Sequence, residues 1–186
     1  MSYAAPTIEF RPLDEADLPA LAEWRARPHV AEWFGAPDSV ADLRGEFIGA
    51  HETPPHVRGF LFLTDGRPAG FIQSYVAYEA GDNWWPDERD PGARGIDQFL
   101  ADEDALGRGL GTAMVRAFLE RLFRDLAVTK VQTDPDPANA RAIRCYEKAG
   151  FERMRVVQTP DGPALLMVCT RTHFETLTRK RDSDAR

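Results

Sequence analysis

The chain has 186 residues, 43% of them hydrophobic, and a formal net charge of −7. That length fits one domain, that apolar content supports a packed core rather than disorder, and the acidic balance argues against nucleic acid and for a cationic partner. Cys145 and Cys169 are too few for a disulfide framework or a zinc site, and His29, His51, His56 and His173 show no ligand spacing, so no metal is expected.

In chain order, "MSYAAPTIEF" lacks the basic and apolar regions of a signal peptide, and "TIEFRPL" alternates as a strand. Asp14 is placed to cap a helix whose apolar face holds Leu18, Leu21 and Trp24. "RPHVAEWFGAPDS" reads as a loop or broken helix, and Ser39 as the N-cap of "VADLRGEFIGA", where Leu43 and Phe47 are four apart. "VRGFLFLT" and "PAGFIQSYVAY" are strands joined by a hairpin at Asp65-Gly66. The polar loop "EAGDNWWPDERDPGA" carries two tryptophans, and "RGIDQFLA" is a further strand.

Next comes "ALGRGLGTAMVRAFLERLF", with Gly107, Gly109 and Gly111 ahead of a helix striped by Leu110, Met114, Phe118 and Leu122. "VTKVQTD" is a strand that Pro135 and Pro137 halt, because proline has no N–H to donate. Asn139 caps "ARAIRCYEKA", Gly150 ends it, and "FERMRVVQ" with "ALLMVCTR" forms a last hairpin around Pro160-Asp161-Gly162. The tail from Thr178 is charged and expected to fray. No stretch approaches the roughly 20 apolar residues of a membrane span. The order is that of an α/β protein, a mixed sheet in a single domain over 1–186.

Glycines at a strand-to-helix junction let the backbone turn tightly and come close to a ligand, where the first amides of the helix favour an anion. On the residues alone, a phosphate-binding loop and a plain glycine-rich turn both stand. The lysine of a Walker loop is missing, and G-x-G-x-G is not the dinucleotide spacing. Asp97, in the middle of a strand, is a costly place for a carboxylate unless it is used or paired. Tyr146 fits both a proton donor and a core tyrosine, and Cys145 beside it reads as an inert thiol.

"LGRGLGT" followed by "NARAIRCYEKAGF" resembles the acetyl-coenzyme A site of the GNAT N-acetyltransferase superfamily. "QSYVAYEAGDNWWPDERDPGARGIDQ", "VQTDPDPANARAIRCYEKAGFER" and "TPDGPA" look like the branch formed by the aminoglycoside 6'-N-acetyltransferases active on amikacin and tobramycin. The resemblance covers roughly residues 7–175 and departs at Leu106, where Arg or Gln is common.

The resemblance implies a mostly antiparallel mixed sheet flanked by helices, with a V-shaped splay between its two middle strands. It also implies acetyl-CoA as cosubstrate, held by Leu106, Gly107, Arg108, Gly109, Leu110, Gly111 and Thr112, by Asn139 and Arg144, and by the backbone near Phe99 and Leu100. Asp97 would take the proton of the attacking amine, and Tyr146 would give the departing thiolate its proton or a hydrogen bond alone. Asp82, Trp84, Trp85, Asp97, Gln98, Asp134, Asp161 and Trp33 would hold a polycationic aminoglycoside. The expected protein is cytoplasmic, a monomer or homodimer, without a metal and without contact to nucleic acid or membrane. Two alternatives remain at this point: a GNAT enzyme for another amine (a polyamine, a hydroxylated lysine of siderophores, a protein N-terminus) and a non-catalytic module that binds coenzyme A.

Overall fold

Seven strands form one sheet in the order β1-β2-β3-β4-β5-β7-β6, in a computed structural model that describes residues 6–36, 38–48, 57–81 and 84–184. The strands are β1 (Ile8–Pro12), β2 (Val57–Thr64), β3 (Arg67–Val76), β4 (Ala93–Leu100), β5 (Lys130–Thr133), β6 (Glu152–Thr159) and β7 (Gly162–Thr170). The helices are α1 (Leu18–Arg25), α2 (Pro28–Phe34), α3 (Val40–Phe47), α4 (Leu110–Leu122), α5 (Ala140–Ala149) and α6 (Arg171–Asp184). The sheet is mixed: β1–β2, β5–β7 and β6–β7 pair antiparallel and β4–β5 parallel. The β4–β5 ladder joins Ala93–Gly95 to Lys130–Gln132, three of the eight residues of β4. Among the described residues, no helix is long and apolar enough to cross a membrane.

The chain packs as two compact units, Met1–Ser74 with Asp97–Met114, and Tyr75–Ile96 with Val115–Arg186. In the first, local signals start the helices. Asp14 accepts from Ala16 N, and Arg11 bridges Asp14 and Asp17 at 2.8 and 2.7 Å. Ser39 and Asp42 form a reciprocal capping box that opens α3. The segment expected to be a loop or broken helix supplies α2, with Pro28 at its first position, where the missing N–H is harmless. The core of this unit gathers Leu18, Leu21, Trp24, Val30 and Leu43 from the helices and Leu61, Phe71 and Phe99 from the strands. Phe71 and Phe99 lie with ring centroids 5.6 Å apart, and Phe34 meets Phe99 edge-on at 5.4 Å.

In the second unit, Asn139 caps α5 by accepting from Ala142 N at 3.0 Å, and Gly150 closes it at φ +118°. The expectation of a frayed tail is corrected: residues 171–184 form α6. Arg171 explains it. Its guanidinium donates to the carbonyls of Phe123, Asp125 and Val128 and lies over the Phe123 ring at 5.2 Å, while Phe174 packs on Phe123 at 5.1 Å. These anchors lie far away in sequence, so the charge-rich composition of the segment does not disclose them.

Cys169 is fully buried, and burial pushes its thiol up to about 12, whereas Cys145 is half-buried. A thiol reagent at pH 8 is therefore expected to modify Cys145 first and to reach Cys169 only on unfolding. Mass mapping of the labelled native protein checks this, and prompt labelling of Cys169 contradicts it.

Candidate functional site

The candidate residues fall in both units. In the first, β4 alternates its side chains, so Asp97 and Phe99 share one face and Gln98 and Leu100 the other. Asp97 therefore lies on the side of the core helices. Its Oδ2 accepts from Gln73 Nε2 at 2.9 Å, across from β3. Burial pushes the Asp97 carboxyl above the ordinary carboxylate range, while the Gln73 hydrogen bond and the Arg25 charge act to lower it. The result is a half-buried carboxylate, oriented by Gln73 and more basic than an exposed one.

Phe99 and Leu100 are buried at the end of β4. The chain then passes through a 3-10 turn that Leu106 N closes on Glu103 O at 2.9 Å. Gly107 and Gly109 follow at φ +72° and +87°, which a side chain would strain, and a Cβ on either would meet nothing within 4 Å. The turn is thus open on its outer side. Ala113 N donates to Gly109 O at 3.0 Å, so Leu110, Gly111 and Thr112 are the first turn of α4, and their amides precede its hydrogen-bond ladder. Arg108 is exposed and Thr112 buried. An exposed backbone turn with a helix start behind it suits a pyrophosphate.

Trp33 is half-buried on α2, and among the described residues its indole N–H is buried without a hydrogen-bond partner. Phe34, beside it, is taken up by Phe99 and by the Arg25 guanidinium, 5.0 Å from its ring centroid.

In the second unit, the tryptophan loop divides its labour. Trp84 donates its indole N–H to Asp134 Oδ2 at 3.0 Å, which ties the loop to the residue that follows β5. Trp85 is buried in a cluster with Ala77 and Ala93 and donates to the Tyr75 hydroxyl at 3.2 Å. Its position is that of a core residue holding the loop down. The Tyr75 ring lies over Gly95, where a Cβ would come within 2.1 Å of it. Tyr146 on α5 is buried and meets Phe151 edge-on at 5.3 Å. The Asn139 side-chain oxygen is engaged in capping α5, Arg144 is exposed on the same helix, and Asp161 is exposed in the β6–β7 turn. Asp82 lies outside the described residues. No group of three or more His, Cys, Asp or Glu side chains among the described residues is placed to hold a metal ion.

The sequence did not single out Gln73 or Tyr75, which orient Asp97 and Trp85. The isolated strand glycines Gly70 and Gly95 were the available signal, since glycine inside a strand marks a close approach. A Cβ on Gly70 would lie 2.4 Å from Phe99 O.

A mixed sheet of this order, with a glycine turn leading from β4 into α4, is the architecture of the GNAT acetyltransferase domain. Residues 14–159 match the acetyltransferase (GNAT) domain family, and the chain belongs to that family. Over 172 residues it is 50% identical to the aminoglycoside N(6')-acetyltransferase type 1 of Klebsiella pneumoniae, covering 91% of this chain and 86% of that protein. Over 92 residues, half of this chain, it is 66% identical to a kanamycin resistance protein of Rhizobium radiobacter. The crystal structure of aminoglycoside acetyltransferase AAC(6')-Ib with coenzyme A and kanamycin superposes with a TM-score of 0.86 at 50% identity, over 91% of this chain and 98% of that one. The structure of AAC(6')-Ib with paromomycin and acetyl-CoA also gives 0.86, at 51% identity over 91% and 96% of the two chains.

Proposed function

We propose that the chain transfers the acetyl group of acetyl-CoA directly to the 6'-amino group of aminoglycosides, and so confers resistance to them. The observation that carries this reading is the 50% identity, across 91% of the chain, to a protein whose name states that reaction. The half-buried, oriented carboxylate of Asp97 supports it chemically, because a protonated amine must be bound and then deprotonated before it can attack.

Acetyl-CoA supplies the thioester. The Gly107–Gly109 turn and the first amides of α4 hold its pyrophosphate with Arg108 alongside, and the backbone at Phe99 and Leu100, beyond the β4 residues paired with β5, takes the pantetheine arm. Asn139 and Arg144 complete the cofactor set. Asp97 binds the ammonium and accepts its proton, directly or through one water, freeing the lone pair that bonds to the thioester carbon. As the C–S bond breaks, Tyr146 gives its phenolic proton to the sulfur. Gln98, Trp33, Trp84, Trp85, Asp82, Asp134 and Asp161 form the acceptor site, with Trp85 acting from beneath the loop. The net charge of −7 favours arrival of a polycation. Residues 1–186 act as one domain, as a cytoplasmic monomer or homodimer.

Tyr146→Phe is expected to lower kcat about 100-fold while leaving the KM for acetyl-CoA within a factor of about three, because the lost group acts on the leaving thiolate. Steady-state kinetics on both substrates check this, and an unchanged kcat removes Tyr146 from the mechanism. The function itself is tested by thiol release from acetyl-CoA with kanamycin or tobramycin beside the 6'-hydroxyl compound paromomycin. Release with the 6'-amines alone supports the reading. Release with both sets moves the regiochemistry elsewhere, and silence with all of them refutes it.

A further inference from the structure

The segment that leads from β4 to the glycine turn is held by two side chains from the α1–α2 junction. His29 Nε2 lies 3.0 Å from Leu100 O, and since a carbonyl only accepts, Nε2 carries the hydrogen. Arg27 Nη1 donates to Ala101 O at 2.8 Å and pairs with Asp102 Oδ1 at 2.6 Å, while its Nη2 pairs with Glu23 at 2.9 Å. On the other side, Ala101 N donates to Ala69 O at 2.9 Å. Leu100 and Ala101 are only 5% and 3% exposed, so these carbonyls need protein partners. A group that only satisfied them could come from anywhere. This one comes from the helix that carries Trp33, one turn after His29 on the same face, with a buried indole N–H that has no partner among the described residues.

We propose that His29 is a positioning residue for acetyl transfer: its hydrogen bond to Leu100 O fixes the end of β4 against α2, so that the backbone holding the pantetheine arm and the Trp33 wall of the acceptor site keep one spacing. The inference rests on the acetyltransferase reading above. His29 touches neither the reacting atoms nor, by this assignment, either substrate; it acts through Leu100 and through α2. Losing its donor leaves a buried carbonyl unpaired and frees the strand end. Both KM values then rise, and kcat changes little once substrate is bound. A purely structural role would reduce the amount of active enzyme, which lowers apparent kcat and leaves KM untouched.

The test compares wild-type protein with His29→Leu, His29→Gln and His29→Asn, measuring steady-state kinetics for acetyl-CoA and kanamycin, and coenzyme A affinity by calorimetry. The glutamine amide N–H can reach the same carbonyl, and the shorter asparagine cannot. His29→Leu and His29→Asn are expected to raise both KM values about three- to tenfold, the worth of one hydrogen bond, with His29→Gln close to wild type. If His29→Leu fails to fold, the glutamine–asparagine comparison decides alone. KM values within twofold of wild type in the folded variants, or a glutamine variant as impaired as asparagine, overturn the proposal while wild-type turnover leaves the enzyme reading intact. A wild-type protein that neither binds coenzyme A nor acetylates overturns both.

Discussion

Asp97→Asn is expected to reduce kcat/KM for an aminoglycoside by about 10²- to 10⁴-fold, the usual worth of a positioned general base, and to make the protein more stable at pH 7. The two effects share one cause. Partial burial raises the pKa of the carboxyl, so in the unfolded chain it loses its proton at lower pH than in the folded one. A group with this sign of shift lowers stability as pH rises from the unfolded carboxyl value of about 3.9 through the folded one. At pH 7 that shift counts against the folded state, and asparagine removes the ionisable group while its Oδ1 still accepts from Gln73. In the wild-type enzyme the same shift places the acid limb of kcat/KM above the ordinary carboxylate range, with activity falling as Asp97 takes up a proton. Thermal melts beside pH–rate profiles of both proteins check this. An Asp97→Asn enzyme that keeps its turnover, or that melts lower at pH 7, contradicts the role given to the carboxylate.

The second large effect is structural. Gly70→Ala puts a Cβ 2.4 Å from Phe99 O and 3.1 Å from Leu100 Cα. Both are backbone atoms of the strand that carries Asp97, and backbone cannot swing aside as a long side chain can. Relief requires β3 and β4 to separate, at a cost of about 1–3 kcal/mol of stability, the range for overpacking a tight site. It also moves the residues assigned to the pantetheine arm, so the KM for acetyl-CoA rises with the loss of stability. Urea titration with the slope held constant measures the first and steady-state kinetics the second. A variant within about 0.5 kcal/mol of wild type would mean that the close approach is not a constraint.

These residues also show which parts of the protein can be read from its sequence. Asp14, Ser39, Asn139 and Gly150 act on amides and carbonyls a few positions away, and each stands where its local pattern places it. The hairpins at Asp65-Gly66 and Asp161-Gly162 make β2 and β3, and β6 and β7, neighbours, and the prolines end β5; the remaining neighbours are set by tertiary pairing. Asp97 could be suspected because a carboxylate inside an apolar strand is unusual in itself. Gln73 could not, because nothing in "GFIQSYV" says that its amide meets Asp97; only the pairing of β3 with β4 does. Helix α6 escaped for the same reason, since Arg171 finds its carbonyls some 40 residues away in sequence. The tryptophan pair divides along this line. "NWW" announces a loop that does something, but the indole of Trp84 turning to Asp134 and that of Trp85 to Tyr75 is decided by tertiary contacts.

The measurement that bears most directly on the central claim is the position of the acetyl group in the product made from kanamycin and acetyl-CoA, read by two-dimensional NMR. A single product with a new amide at the 6'-nitrogen is the result predicted. Acetylation at another amine would keep the chain an acetyltransferase and contradict the acceptor site assembled around Asp97, and no acetylated kanamycin at all would contradict the proposed function.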